Sequence, residues 1–254
     1  MDENIVEFRT VQSNAIRILI ESLKNILSDV NILITADGIK IISMDGSKAA
    51  VVYLKLEAGQ FEIFKCLSSM KIGINMVSLF KILKSIKNND IVTFYIKKEH
   101  MTELCIKIEN KDKKTTIISV LKLLDIDEDV LTIPNIEFDS VITIPSNDFQ
   151  SYINDLSIIS NTVFVQSENE EFILKAEGDF ASQTVIIGET NNGLNTCAKT
   201  VESGEFNIKY IQLFTKATNL CTTLEIYLKT NYPLIFVYNV ANLGKLKYCL
   251  APKT

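Results

Sequence analysis

The chain has 254 residues, room for one large domain or two of ordinary size, and its 47% hydrophobic and 22% charged content excludes a disordered, collagen-like or low-complexity chain. Lys and Arg number 26 against 31 Asp and Glu, so the net charge of −5 excludes attraction to a polyanion by bulk charge alone. One histidine, His100, and five scattered cysteines (Cys66, Cys105, Cys197, Cys221 and Cys249) without a CxxC pair exclude a Cys/His zinc site and a thioredoxin-type dithiol, and they read as reduced thiols.

The opening MDENIVEFRT has no cationic and apolar leader, and no run approaches the roughly 20 apolar residues that span a bilayer, so a soluble intracellular protein without a membrane partner is expected. A helical period then predicts a first helix over Ser13 to Ile26. Strands follow over Val30 to Thr35, Ile39 to Met44 and Ala50 to Leu56, punctuated by AspGly turns. A second helix is expected over Val77 to Ile86, then strands over Ile91 to Lys97 and Leu104 to Glu109, with His100 in the turn between them and a LysAspLysLys turn after. The segment Lys122 to Asn135 (KLLDIDEDVLTIPN) has neither period and reads as an interdomain connector. On its residues alone it is either a solvated acidic loop or a connector that lays Leu131 and Ile133 into a groove. Further helices are expected over Asn147 to Ile158 and Tyr210 to Ala217, each helix starting near a Ser or Asn cap.

The halves repeat one another. Ile74 to Ile86 (INMVSLFKILKSI) aligns with Ile208 to Leu220 (IKYIQLFTKATNL), which puts Leu79-Phe80 in register with Leu213-Phe214, and Ser13-Asn14 aligns with Ser146-Asn147. A strand-helix-strand-strand-strand unit therefore recurs along the chain, two per half, and two copies of one β-rich domain are expected.

No nucleophile-base pair can be built around His100, there is no GxxxxGK[ST] or GxGxxG loop, and Asp125, Asp127, Glu128 and Asp129 lack the glycine and terminal glutamate of an EF-hand. No enzyme activity, cofactor or metal is expected. Basic residues recur on the helices instead: Arg17 and Lys24 on the first, interrupted by Glu21, then Lys81 and Lys84 on the second with Lys87 close by, and Lys209 and Lys216 on the fourth. The third offers Asn147, Gln150, Ser151 and Asn154. A repeated basic face without stacking aromatics suits sequence-independent contact with duplex phosphates.

The segments ADGIKIISMDGSKAAVV, INMVSLFKILK, LLDIDEDVLTIP, LFTKAT and LGKLKYCLAPK, in that order, resemble the proliferating cell nuclear antigen (PCNA) family of DNA sliding clamps. The resemblance implies an α+β fold of two similar clamp domains, residues 1–121 and 136–254, joined by a connector at 122–135. It implies a homotrimeric ring, joined through edge strands near Thr115 to Leu121 and Ser182 to Gly188, that holds double-stranded DNA against Arg17, Lys24, Lys81, Lys84, Lys209 and Lys216. It also implies an outer pocket of Met44, Lys48, Ala49, Val51, Leu131, Ile133, Pro233, Tyr248, Ala251 and Pro252. There, DNA polymerase, clamp loader, nuclease and ligase would dock clamp-binding peptides, in the nucleus or at a site of viral DNA replication. A monomeric processivity factor and a subunit of a heterotrimeric checkpoint-type clamp are the alternatives. Departures from the family are Cys249 where a second aromatic is common, Ser151 and Asn154 at commonly basic positions, Ile158 where a histidine is frequent, and Asn169 in place of the lysine that takes ubiquitin.

Overall fold

Period-two patterning dominates the chain, and the computed structural model, which describes residues 4–127, 131, 136–188 and 200–253, turns it into 17 strands and four α-helices among those residues. The chain divides into two units. One comprises Met1–Ser43, Tyr53–Thr132 and Asn239–Leu246, and the other Met44–Val52, Ile133–Tyr238 and Lys247–Thr254.

In the first unit β1 (Asn4–Thr10), β5 (Ile63–Cys66), β7 (Asp90–Lys97), β8 (Glu103–Asn110) and β9 (Thr115–Lys122) form an antiparallel sheet in the order β5-β1-β7-β8-β9. Central β7 buries five consecutive residues from Asp90 to Phe94, whereas edge strand β9 buries none. β2 (Asp29–Thr35) pairs with both β3 (Gly38–Met44) and β6 (Met70–Asn75). Helix α1 (Ser13–Leu23) buries Ile16, Leu19, Ile20 and Leu23, the spacing of one helical face, and packs on α2 (Met76–Leu83), which buries Met76, Leu79 and Leu83.

Caps set the helix limits. Asn75 accepts from the Ser78 amide at 2.8 Å and starts α2, whereas Ser13 turns inward and donates to the Asp90 carbonyl at 2.6 Å, fastening α1 to β7. The first helix stops at Leu23, short of the expected Ile26, because Lys24 is its C-cap and the Ile26 and Leu27 amides turn back to the Leu23 carbonyl.

The second unit holds β11 (Thr162–Glu168), β12 (Glu171–Glu177), β13 (Ser182–Ile187) and β14 (Val201–Asn207) in the order β13-β12-β11-β14. Beside them β10 (Ser140–Pro145) pairs with β15 (Thr223–Leu228), which pairs with β16 (Leu234–Val240). β4 (Ala50–Glu57) and β17 (Gly244–Leu250) each contribute residues to both units. Helix α3 (Ser146–Ile159) starts in register with α1, and α4 (Ile208–Phe214) runs into a 3₁₀ turn over Thr215–Leu220. The cap of α4 corrects the repeat register. Asn207 accepts from the Lys209 amide at 3.0 Å and corresponds to Asn75, so Leu79 matches Ile211, both buried. The shared Leu-Phe pair is out of phase by two: Leu79 is buried and Phe80 half-buried, whereas Leu213 is half-buried and Phe214 buried.

Phe214 anchors the core of this unit, 5.6 Å from Phe236 and stacked on Tyr248 at 4.5 Å between ring centres. Phe214→Ala removes both contacts and is expected to cost about 3–5 kcal/mol, read as a fall in the urea unfolding midpoint.

Candidate functional site

The basic residues fall into two groups. Arg17 is committed within α1: it donates to Asn14 Oδ1 at 2.9 Å and pairs with Glu21 at 3.0 Å, and the Lys24 ammonium sits 4.7 Å over the Phe80 ring. Lys81, Lys84, Lys209 and Lys216 are exposed and form no ion pair among the described residues. Lys84 is the C-cap of α2, and Lys216 lies on the 3₁₀ turn rather than on α4 itself. Uncharged α3 is tied to its neighbour by amides: Gln150 Nε2 donates to the Thr215 carbonyl at 2.8 Å, and Gln212 Nε2 donates to Ser157 Oγ at 2.9 Å. Asn147, Ser151 and Asn154 remain exposed, and Ile158 is 72% exposed.

A hydrogen-bond cluster that the sequence did not announce organises the turn after Met44. Buried Asp45 accepts from the Ala50 amide at 2.6 Å, the Ser47 amide at 3.0 Å, Ser47 Oγ at 2.6 Å and the Tyr210 hydroxyl of α4 at 2.6 Å, and the two hydroxyls also touch each other. Burial alone would raise the Asp45 carboxyl's pKa, but these bonds from Ser47, Tyr210 and the two amides outweigh it and hold the group below its ordinary value. The turn presents Lys48, at a positive φ of 61°, and half-buried Ala49.

Several expected pocket residues converge here. Ala251 donates its amide to the Ala49 carbonyl at 3.0 Å, and Lys253 donates to the Glu205 carbonyl at 2.7 Å, so the tail bearing Ala251 and Pro252 is held on both sides. Met44, Val51 and Pro233 are half-buried in the same unit. Tyr248 does not line a surface. Alternation along β17 buries Leu246, Tyr248 and Leu250, and the Tyr248 ring lies in the aromatic core against Phe214 and Tyr238. Cys249 is the residue on the opposite face, with burial pushing its thiol up to about 11. Leu131 is half-buried in the first unit, and Ile133 lies outside the described residues. The connector begins pinned to the first unit: the Leu124 amide donates to the Gly73 carbonyl at 2.8 Å, and a Cβ on Gly73 would stand 2.3 Å from the Leu124 oxygen. Asn169 occupies a two-residue hairpin turn with Glu170, both at positive φ, a conformation that suits asparagine.

The sheets end in open edges at the two expected places. β9 pairs only with β8 among the described residues, and Ile117, Ile118 and Val120 on it are more than half exposed. β13 pairs only with β12 among the described residues, and Ile186 on it is 58% exposed. Free backbone groups flanked by isoleucines form a template for another strand.

A model of the proliferating cell nuclear antigen N-terminal domain matches residues 5–131, and a model of the C-terminal domain of the same antigen matches residues 132–253. A relative from Paramecium bursaria Chlorella virus 1, named probable DNA polymerase sliding clamp 1, is 37% identical over 259 aligned positions that cover 99% of this chain and 98% of the relative.

The Asp45 cluster makes a linked prediction. Tyr210→Phe leaves a buried carboxylate one donor short and is expected to cost about 1–3 kcal/mol at neutral pH. Because the folded pKa of Asp45 is depressed, its contribution is full above the unfolded value of about 3.9 and is lost as pH falls through the folded value. Urea unfolding of the two proteins should therefore show a stability gap at pH 7 that narrows below about pH 4.

Proposed function

The chain belongs to the proliferating cell nuclear antigen family of DNA sliding clamps, non-enzymatic processivity factors, and from that premise we propose that three copies close head to tail into a ring around duplex DNA. The observation that carries the reading is the pair of open edges. One lies in each unit, both are apolar, and β9 of one subunit laid on β13 of the next pairs the free N–H and C=O groups of both. A head-to-tail contact repeated around a closing rotation leaves no edge unpaired.

Inside the ring, Lys81, Lys84, Lys209 and Lys216 supply the phosphate contacts, with Arg17 and Lys24 contributing less because each already has a partner. Point charges on flexible stems hold phosphates without a fixed register, so the ring slides. Enclosure converts repeated encounters of a polymerase with its template into one tethered arrangement of high effective concentration.

The partner pocket comprises Met44, Lys48, Ala49, Val51, Leu131, Ile133, Pro233, Ala251 and Pro252, with Cys249 as its wall in place of Tyr248. An apolar anchor of a polymerase, clamp-loader, nuclease or ligase peptide fills it, and flanking peptide backbone pairs with the tail. The Asp45 cluster holds the turn that carries Lys48 and Ala49.

Light scattering in solution tests the ring: the molar mass should be three times the chain mass of 28.6 kDa. Ile118→Lys combined with Val120→Lys puts like charges on the edge and should yield a folded monomer, whereas an unchanged mass would overturn the edge assignment. Lys81→Glu combined with Lys209→Glu should keep the trimer and lose stimulation of a cognate polymerase on primed circular template, and collapse to monomer would show those lysines to be structural.

A further inference from the structure

We propose that the cleft between the Lys87–Asp90 turn and the Lys111–Lys114 turn is a second phosphate-contact site for duplex DNA, continuing the lysine face of α2 beyond the helix. The proposal rests on the clamp reading and adds residues to its DNA surface. The cleft is lined by Lys87, Asn88, Asn89, Asn110, Asp112 and Lys113.

Its walls are built on one buried carboxylate. Asp90 is 5% exposed; its Oδ2 accepts from the Lys87 amide at 2.8 Å and its Oδ1 from Asn110 Nδ2 at 2.6 Å. Asn110 Oδ1 in turn accepts from the Lys113 amide at 2.8 Å. The chain of bonds from Lys87 through Asp90 and Asn110 to Lys113 fixes the two lysine-bearing turns against each other. Only their side chains remain free to move.

The charge balance points the same way. Lys84, Lys87, Lys111, Lys113 and Lys114 are exposed and in no ion pair among the described residues. Against them Asp90 is buried and saturated, and Asp112 accepts from Asn89 Nδ2 at 3.4 Å. Glu109 on the adjoining strand is already shared between Lys107 at 2.9 Å and Arg9 at 3.8 Å. A concentration of unpaired ammoniums in a chain of net charge −5 has a polyanion as its natural ligand.

Two features favour a phosphodiester backbone over an acidic protein segment. The cleft offers ammonium and amide donors but no apolar side chain to anchor a peptide. It also follows Lys81 and Lys84 along the chain, so a duplex held at α2 meets Lys87 next.

Anisotropy of a labelled short duplex, titrated with the full-length protein over a series of KCl concentrations, tests the proposal. Lys87→Gln combined with Lys113→Gln keeps the backbone frame and removes two charges. The slope of log K against log salt should become shallower by about 1.8, from 0.9 per phosphate contact, with the oligomer mass and unfolding midpoint unchanged. If the midpoint moves, Lys111→Gln combined with Lys114→Gln gives the same test from outside the frame. An unchanged slope while Lys81→Gln with Lys84→Gln weakens binding overturns the cleft alone. An unchanged slope in both pairs overturns the underlying DNA surface as well. Loss of polyglutamate binding with duplex binding intact assigns the cleft to an acidic protein segment and also overturns the proposal.

Discussion

A strand at the edge of a sheet carries a row of backbone donors and acceptors that water satisfies only loosely and another strand satisfies well. This protein treats its edges in two ways. At β6 it closes the edge with its own connector, where Leu124 bridges Gly73 so tightly that no side chain fits at position 73. At β9 and β13 it leaves the edge open among the described residues and sets isoleucines along it. A chain that covers one edge and exposes two apolar ones has assigned those two to a partner. In the proposed ring the partner is another copy of itself, and the enclosed hole, the inward lysines and the outward pocket all depend on that pairing.

Charge distribution matters more here than net charge. A total of −5 repels DNA from the outer surface, whereas unpaired lysines gathered on α2, on α4 and its following turn, and around the Lys87–Lys113 cleft give it a favourable path. The two cations of α1 contribute least, because an i,i+4 glutamate and an aromatic ring already occupy them. Counting basic residues on a helical face therefore overstates α1 and understates the turn beyond α2.

What could be read from the sequence follows from how local each signal is. Strands and helices were visible because apolar periods of 2 and 3.6 need only neighbouring residues, and all four helices form where the period placed them, within a few residues at each end. The register between the repeats was misread at the Leu-Phe pair, since the capping Asn75 and Asn207 start the helices, and the resemblance of the following residues misaligned them. Tyr248 was placed on the surface by resemblance, while strand alternation and the Phe214 ring draw it inward. The bond from Tyr210 to Asp45 joins residues 165 positions apart, which no local pattern reports. The same holds for the Lys87–Asp90–Asn110–Lys113 frame, whose lysines were visible in sequence and whose geometry was not.

Topological enclosure is the central claim, and it separates from ordinary adhesion in one measurement. The labelled protein is loaded by its clamp loader onto a nicked circular duplex, free protein is removed, and the fraction retained is followed before and after a single restriction cut. Enclosure predicts slow loss from the intact circle and rapid loss from the cut ends, with retention restored when the ends are blocked by bound protein. Equal loss from circle and linear DNA would contradict the account, because a protein held only by lysine–phosphate contacts does not sense whether the duplex has ends.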